Sequence, residues 1–199
     1  MVITCVRPGG FAYVTNGTDN TVSPYIIDGD TGALLPSGPP VSTGIFPSAA
    51  VVAGTGNFNG INFLYVTNGG SSDVSGYGID PNTGALTSLA GSPFTIGGLS
   101  APTSIAATGG GLNGSFLYVT NPDSTVSTAA VRVAAAGAGP GPIATLNTQF
   151  VYVVNTTDQT ITGYTIQGTN LPLLAVPGQA IPTGRGPTSI VVTARPVFD

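Results

Sequence analysis

The sequence contains no histidine, no lysine, no glutamate and no tryptophan. Its acids are eight Asp, its bases are Arg7, Arg132, Arg185 and Arg195, and charged residues make up 6% of the 199 positions. An ordinary soluble domain carries roughly 25%. Each absence excludes a chemistry. Without His there is no Ser-His-Asp or Cys-His catalysis and no imidazole metal site. With Cys5 alone there is no zinc ribbon, no CxxC pair and no intrachain disulfide. Without Lys there is no Schiff base and no P-loop lysine. A net charge of −4 with four scattered Arg cannot neutralise a phosphate backbone, so nucleic acid is not expected as a partner. Missing Glu and Lys, against 27 Thr, 30 Gly and 17 Pro, also disfavour helix.

What is present can build a core. Hydrophobic residues are 41% of the chain and the mean hydropathy is +0.35, which is not the composition of a disordered segment. The longest weakly polar stretch, 129–144, holds Arg132, three Gly and two Pro, so no transmembrane segment is expected. Residues 2–6 are too few for the apolar region of a signal peptide and run into Arg7-Pro8, which fits a mature or trimmed form if the protein is secreted.

Internal repetition decides the fold. Phe11-Ala-Tyr-Val-Thr-Asn16 returns as Phe63-Leu-Tyr-Val-Thr-Asn68, Phe116-Leu-Tyr-Val-Thr-Asn121 and Phe150-Val-Tyr-Val-Val-Asn155. Tyr13, Tyr65, Tyr118 and Tyr152 are thus separated by 52, 53 and 34 residues. A second string follows: Thr21-Val-Ser-Pro-Tyr-Ile-Ile-Asp28, Asp73-Val-Ser-Gly-Tyr-Gly-Ile-Asp80 and Thr160-Ile-Thr-Gly-Tyr-Thr-Ile-Gln167, with a weaker relative from Thr125. Thr31-Gly-Ala-Leu34 matches Thr83-Gly-Ala-Leu86, and Pro47, Pro102, Pro140 and Pro187 each open a further apolar string. Each unit reads as four short strands. The Tyr-Val-Thr-Asn strand is apolar on both faces and so belongs between two layers. Four-stranded sheets stacked at a period of about 50 residues describe propeller blades. The short third step predicts a third unit that has lost roughly its outer strand, with Gly137-Ala-Gly-Pro-Gly-Pro142 bridging the gap.

These strings, with Asp80-Pro-Asn-Thr-Gly-Ala-Leu86, resemble the YVTN-repeat β-propellers, a group that merges with the lactonase-type seven-bladed propellers, bacterial 6-phosphogluconolactonases among them. The resemblance covers nearly the whole chain. It implies an all-β, propeller-like array of about four four-stranded blades, near 2–40, 47–96, 102–136 and 140–178, in one repeat domain spanning 1–199. An extra C-terminal strand falls at 187–194, its apolar part at 188–193. The lactone-hydrolysing members are discussed with Glu, His and Arg in a central funnel. This chain has no Glu and no His, so the resemblance assigns no catalytic residue here.

The remaining candidates read mostly as structure. Asp30-Thr-Gly32 is the tripeptide of aspartic proteases, whose chemistry needs two carboxylates. The equivalent string is Asn82-Thr-Gly84, so the pair is read as a repeated turn with Gly at positive φ. Asp28 and Asp80 occupy equivalent positions before those turns and are read as caps, not calcium ligands. Asn16, Asn113 and Asn155 begin N-glycosylation sequons, in about the number chance supplies, and become acceptors only in a glycosylating host. Cys5 is read as a buried thiol and the four repeated Tyr as core. Arg185, in a Gly-Arg-Gly-Pro loop before an inner strand, is the one weak candidate for an anion contact.

The expectation is therefore a non-catalytic extracellular or cell-surface protein, without metal or cofactor, that binds or assembles with copies of itself through exposed β edges, as a filament-forming subunit does. The alternative is a lactone hydrolase of the propeller group, or a fragment of one. A closed small ring, a piece of a larger ring and an open self-associating array all fit the strand count, and no small-molecule ligand is indicated.

Overall fold

A computed structural model describes residues 8–54, 62–95, 99–108, 117–123, 125–128, 132–135, 140–146, 149–166 and 173–192. The described residues are all-β, with no helix. They form four antiparallel sheets, each a meander of consecutive strands. The first holds β1 (Pro8–Asn16), β2 (Thr21–Asp28), β3 (Leu34–Pro36) and β4 (Val41–Ser42). Its outer strand is split: β3 pairs with Tyr25, Ile26 and Ile27, and β4 with Thr21 and Val22 at the other end of β2. The second holds β5 (Pro47–Gly54), β6 (Asn62–Asn68), β7 (Asp73–Ile79) and β8 (Leu86–Ser88), and repeats the split through a bridge from Val74 to Phe94. The third holds β9 (Ser104–Ala107), β10 (Leu117–Asn121), β11 (Thr125–Thr128) and β12 (Arg132–Ala135). The fourth holds β13 (Pro140–Leu146), β14 (Phe150–Asn155), β15 (Thr160–Ile166) and β16 (Leu173–Pro182).

Two expectations need correction. The third unit keeps its outer strand, since β12 pairs with β11 over four residues. The step is short because its connections are: residues 129–131, 136–139 and 147–149 stand where the preceding step has 80–85, 89–103 and 108–116. At the other end, the described part of the segment expected as a spare strand makes no ladder: residues 187–192 lie outside every strand. Residues 2–6, with Cys5, lie outside the described residues.

The sheets pack face to face, and alternation along the strands decides what each face carries. Phe11 and Tyr13 of β1, with Val22 of β2, pack on Leu64, Val66, Tyr77 and Ile79 of the second sheet. Tyr65, Ala53 and Val74 pack on Ile105, Leu117 and Val119 of the third. Ala106, Tyr118 and Val126 pack on Ile143, Val151, Val153, Tyr164 and Leu173 of the fourth. One rule serves all three interfaces: the face carrying Tyr13, Tyr65 or Tyr118 meets the face of the next sheet that carries Val66, Val119 or Val153. Hydrogen bonds tie the layers laterally. Thr120 Oγ1 donates to the Gly141 carbonyl at 2.9 Å, and Ser48 Oγ, 3.0 Å from Thr67 Oγ1, donates to the Pro102 carbonyl at 2.7 Å. Tyr13 Oη donates to the Gly84 carbonyl at 3.0 Å.

Candidate functional site

The asparagine that ends each repeated string is a clamp. Asn16 Nδ2 donates to Thr21 Oγ1 and Ser23 Oγ, both at 2.9 Å. Asn68 Nδ2 donates to Asp73 Oδ1 at 2.6 Å and Ser75 Oγ at 2.9 Å, and Asn155 Nδ2 to Thr160 Oγ1 at 2.9 Å and Thr162 Oγ1 at 2.8 Å. Asn121 Nδ2 donates to Thr125 Oγ1 at 3.1 Å. The clamp closes a four-residue turn whose last residue takes a left-handed backbone, at Asn20, Ser72 and Gln159, with φ of 55°, 54° and 54°.

Each such turn holds the loop that leaves its sheet's outer strand. Asn20 accepts at its carbonyl from Thr43 N–H at 2.9 Å and at Oδ1 from Phe46 N–H at 2.7 Å. Ser72 Oγ accepts from Ala101 N–H at 3.1 Å, and the Gln159 carbonyl from Thr183 N–H at 2.8 Å. Phe46, Ala101 and Gly186, each just before a proline, all have positive φ. Thr183-Gly-Arg-Gly-Pro187 therefore repeats the entry loop Thr43-Gly-Ile-Phe-Pro47. Arg185 stands at the position of Ile45, and both are exposed. This places Arg185 on a repeated loop at the turn end of the array. The Thr-Gly-x-x-Pro match was readable in the sequence, but its meaning depends on the hydrogen bonds to the preceding turn.

The opposite end carries the aspartate turns. Asp28 Oδ1 accepts from the Asp30 and Thr31 amides at 3.0 and 2.8 Å, and Asp80 Oδ1 from the Asn82 and Thr83 amides, both at 2.9 Å. Gly32 and Gly84 have φ of 72° and 70°. The two loops agree bond for bond, so Asp30 is a turn residue, as Asn82 is. The Thr31 amide, then the Thr31 hydroxyl and the Asp30 amide, hold the Asp28 carboxyl below its ordinary range; the Thr83 and Asn82 amides act likewise on Asp80. Asp73 and Asp123 accept from Asn68 and Thr125. Among the described residues, no group of three or more His, Cys, Asp or Glu side chains could hold a metal.

Asn155 is fully buried with its amide nitrogen committed twice, and Asn16 is half-buried and bound likewise. A glycan on either nitrogen would replace a donated hydrogen and open the clamp. Asn113 lies outside the described residues. No helix among the described residues is long and apolar enough to cross a membrane.

The two outermost sheet faces form the second distinctive region. Val14 is 46% exposed, whereas its repeat equivalents Val66, Val119 and Val153 are at 0%, 1% and 0%. Tyr25 and Ile27 beside it are half-buried, whereas Tyr77 and Ile79 are buried. On the far side of the fourth sheet, Ile161 is half-buried where Val22, Val74 and Val126 are all at 0%. Phe150 and Tyr152 stack there with centroids 6.4 Å apart.

Sheets of this kind, packed by this rule, define a propeller-like fold. No family model and no curated protein matches the chain. Solved structures do. The chain is similar to a protein of Bacteroides fragilis provisionally assigned as a 6-phosphogluconolactonase, at 20% identity and a TM-score of 0.68 over 91% of this chain and 59% of that one. It is similar to a protein of Bacteroides uniformis with the same provisional assignment, at 16% identity and a TM-score of 0.63 over 90% and 56%. It is also similar to virginiamycin B lyase from Staphylococcus aureus, at 13% identity and a TM-score of 0.57 over 90% and 55%. The chain thus spans less than three-fifths of the length of each. At these identities the likeness concerns the fold, and a lyase among the three shows that the fold carries more than one chemistry.

Proposed function

We propose that the chain acts by binding and self-association rather than hydrolysis, as a non-catalytic repeat module at or outside the cell surface. The observation that supports this most is what its acids do. With no Glu and no His in the chain, catalysis would fall to Asp, and Asp28, Asp73, Asp80 and Asp123 hold turns and clamps. A chain with 6% charged residues and no Lys presents little repulsion to a second copy. Lactone hydrolysis is the second reading, supported by the likeness to the two Bacteroides proteins. Acid release from 6-phosphogluconolactone and gluconolactone separates the two. The association reading predicts rates equal to the buffer rate; turnover that Arg185→Ala abolishes would replace it with the hydrolase. Cell fractionation with antibody detection tests the location, with cytosolic retention the contrary result.

A further inference from the structure

We infer that copies of this chain associate face to face, the outer face of the first sheet (Ala12, Val14, Tyr25, Ile27) docking on the outer face of the fourth (Phe150, Tyr152, Ile161) of a second copy. This rests on the self-association reading above and specifies its surface.

The outer sheet edges serve that purpose poorly. The outer-edge strands β3, β4, β8 and β12 are two to four residues long, too short to template a partner strand. β16 is longer, but it carries Pro177 and Gly178 and its register with β15 breaks between Thr162 and Tyr164.

The faces are different, because the chain already contains the interface they would make. Val22 shares one core with Val66 in the first interface, Val74 with Val119 in the second and Val126 with Val153 in the third. Ile161 and Val14 are the next members of those two series, and neither finds its counterpart among the described residues. None of the named residues on either face is charged. The loop at Thr183 is held by Gln159 as the loop at Thr43 is by Asn20, so the fourth sheet is dressed at its turn end as the earlier sheets are where another follows. The contact is head-to-tail: it closes a ring if the rotation permits and otherwise propagates.

The test uses the full chain with Cys5→Ser as background, carrying either Val14→Cys or Ile161→Cys. On mixing under mild oxidant, a disulfide-linked dimer forms, and neither variant alone forms one. Val14→Asp, on a face already half open, leaves the strand circular dichroism unchanged and weakens association by about tenfold or more. Assembly without the mixed disulfide overturns the face assignment and leaves self-association standing. A monomer at every concentration overturns both, and is what a face covered by further sheets of a longer polypeptide would give. Should a cysteine variant lose its strand signal, Val14→Asp decides alone: association undiminished by it overturns the inference.

Discussion

Tyr13 and Tyr118 lie between sheets, and burial pushes both phenols up to about 12; Tyr65, Tyr77 and Tyr164 are raised by the same cause. A raised acid pKa means that the folded state resists ionisation. The stabilisation is complete below the unfolded value near 10 and is lost as pH rises toward about 12. Asp28 and Asp80 act with the opposite sign: their depressed pKa contributes above the unfolded value and fades as pH falls through the acid range. With no His in the chain, Tm is expected to be flat from about pH 6 to 9 and to fall above about pH 10. Absorbance titration at the phenolate band checks the cause: two or more Tyr should ionise only as the strand signal is lost. At the turns, Asp80→Ala should lower Tm while Asp30→Asn leaves it unchanged, since the Asp80 carboxylate caps two amides and Asn82 already fills the place of Asp30. That turn was legible from the match of two strings. The asparagine clamp was not, because it needs a left-handed residue at Asn20, Ser72 or Gln159 to bring the next strand's hydroxyls within reach.

Among the elements, the repeated turns give a matched pair of substitutions. A Cβ on Gly84 would lie 2.3 Å from Phe11 Cδ1, across the first interface, whereas one on Gly32 meets nothing within 4 Å. Both have positive φ, so Gly32→Ala carries only the backbone cost, about 1 kcal/mol. Gly84→Ala adds displacement of a core ring and should cost about 3 kcal/mol or more. Equal losses in denaturant titrations would show that the first two sheets do not pack as described. Thr120→Val removes the hydroxyl bond to the Gly141 carbonyl and should cost about 1 kcal/mol; Val154 occupies the equivalent place in the fourth sheet without a hydroxyl. Strand identity was readable wherever a string recurred in phase. The third unit was misjudged because β11 and β12 have four residues each, too few to show alternation, and a 34-residue step can come from shortening the connections as well as from losing a strand. Thr188, Ser189 and Ile190 copy the composition of the β9 string without making its ladder, since a strand needs a partner as well as a pattern.

For the whole molecule, the all-β, propeller-like stack followed from four in-phase copies of one string. Which faces the stack leaves open did not, because every copy reads alike: Val14 and Val66 have the same sequence neighbours and opposite exposures. Position in the array, not local sequence, decides which valine is buried. Leu64→Ala, inside an interface, should cost about 2–5 kcal/mol of folding stability. Val14→Ala should cost little folding stability and act on association instead. The most direct measurement of the central claim is the mass of the unmodified chain by sedimentation equilibrium across a hundredfold concentration range. Face-to-face association predicts an average mass that climbs from 19.6 kDa with concentration and stays there for Val14→Asp. A mass of 19.6 kDa at every concentration for both proteins would contradict it.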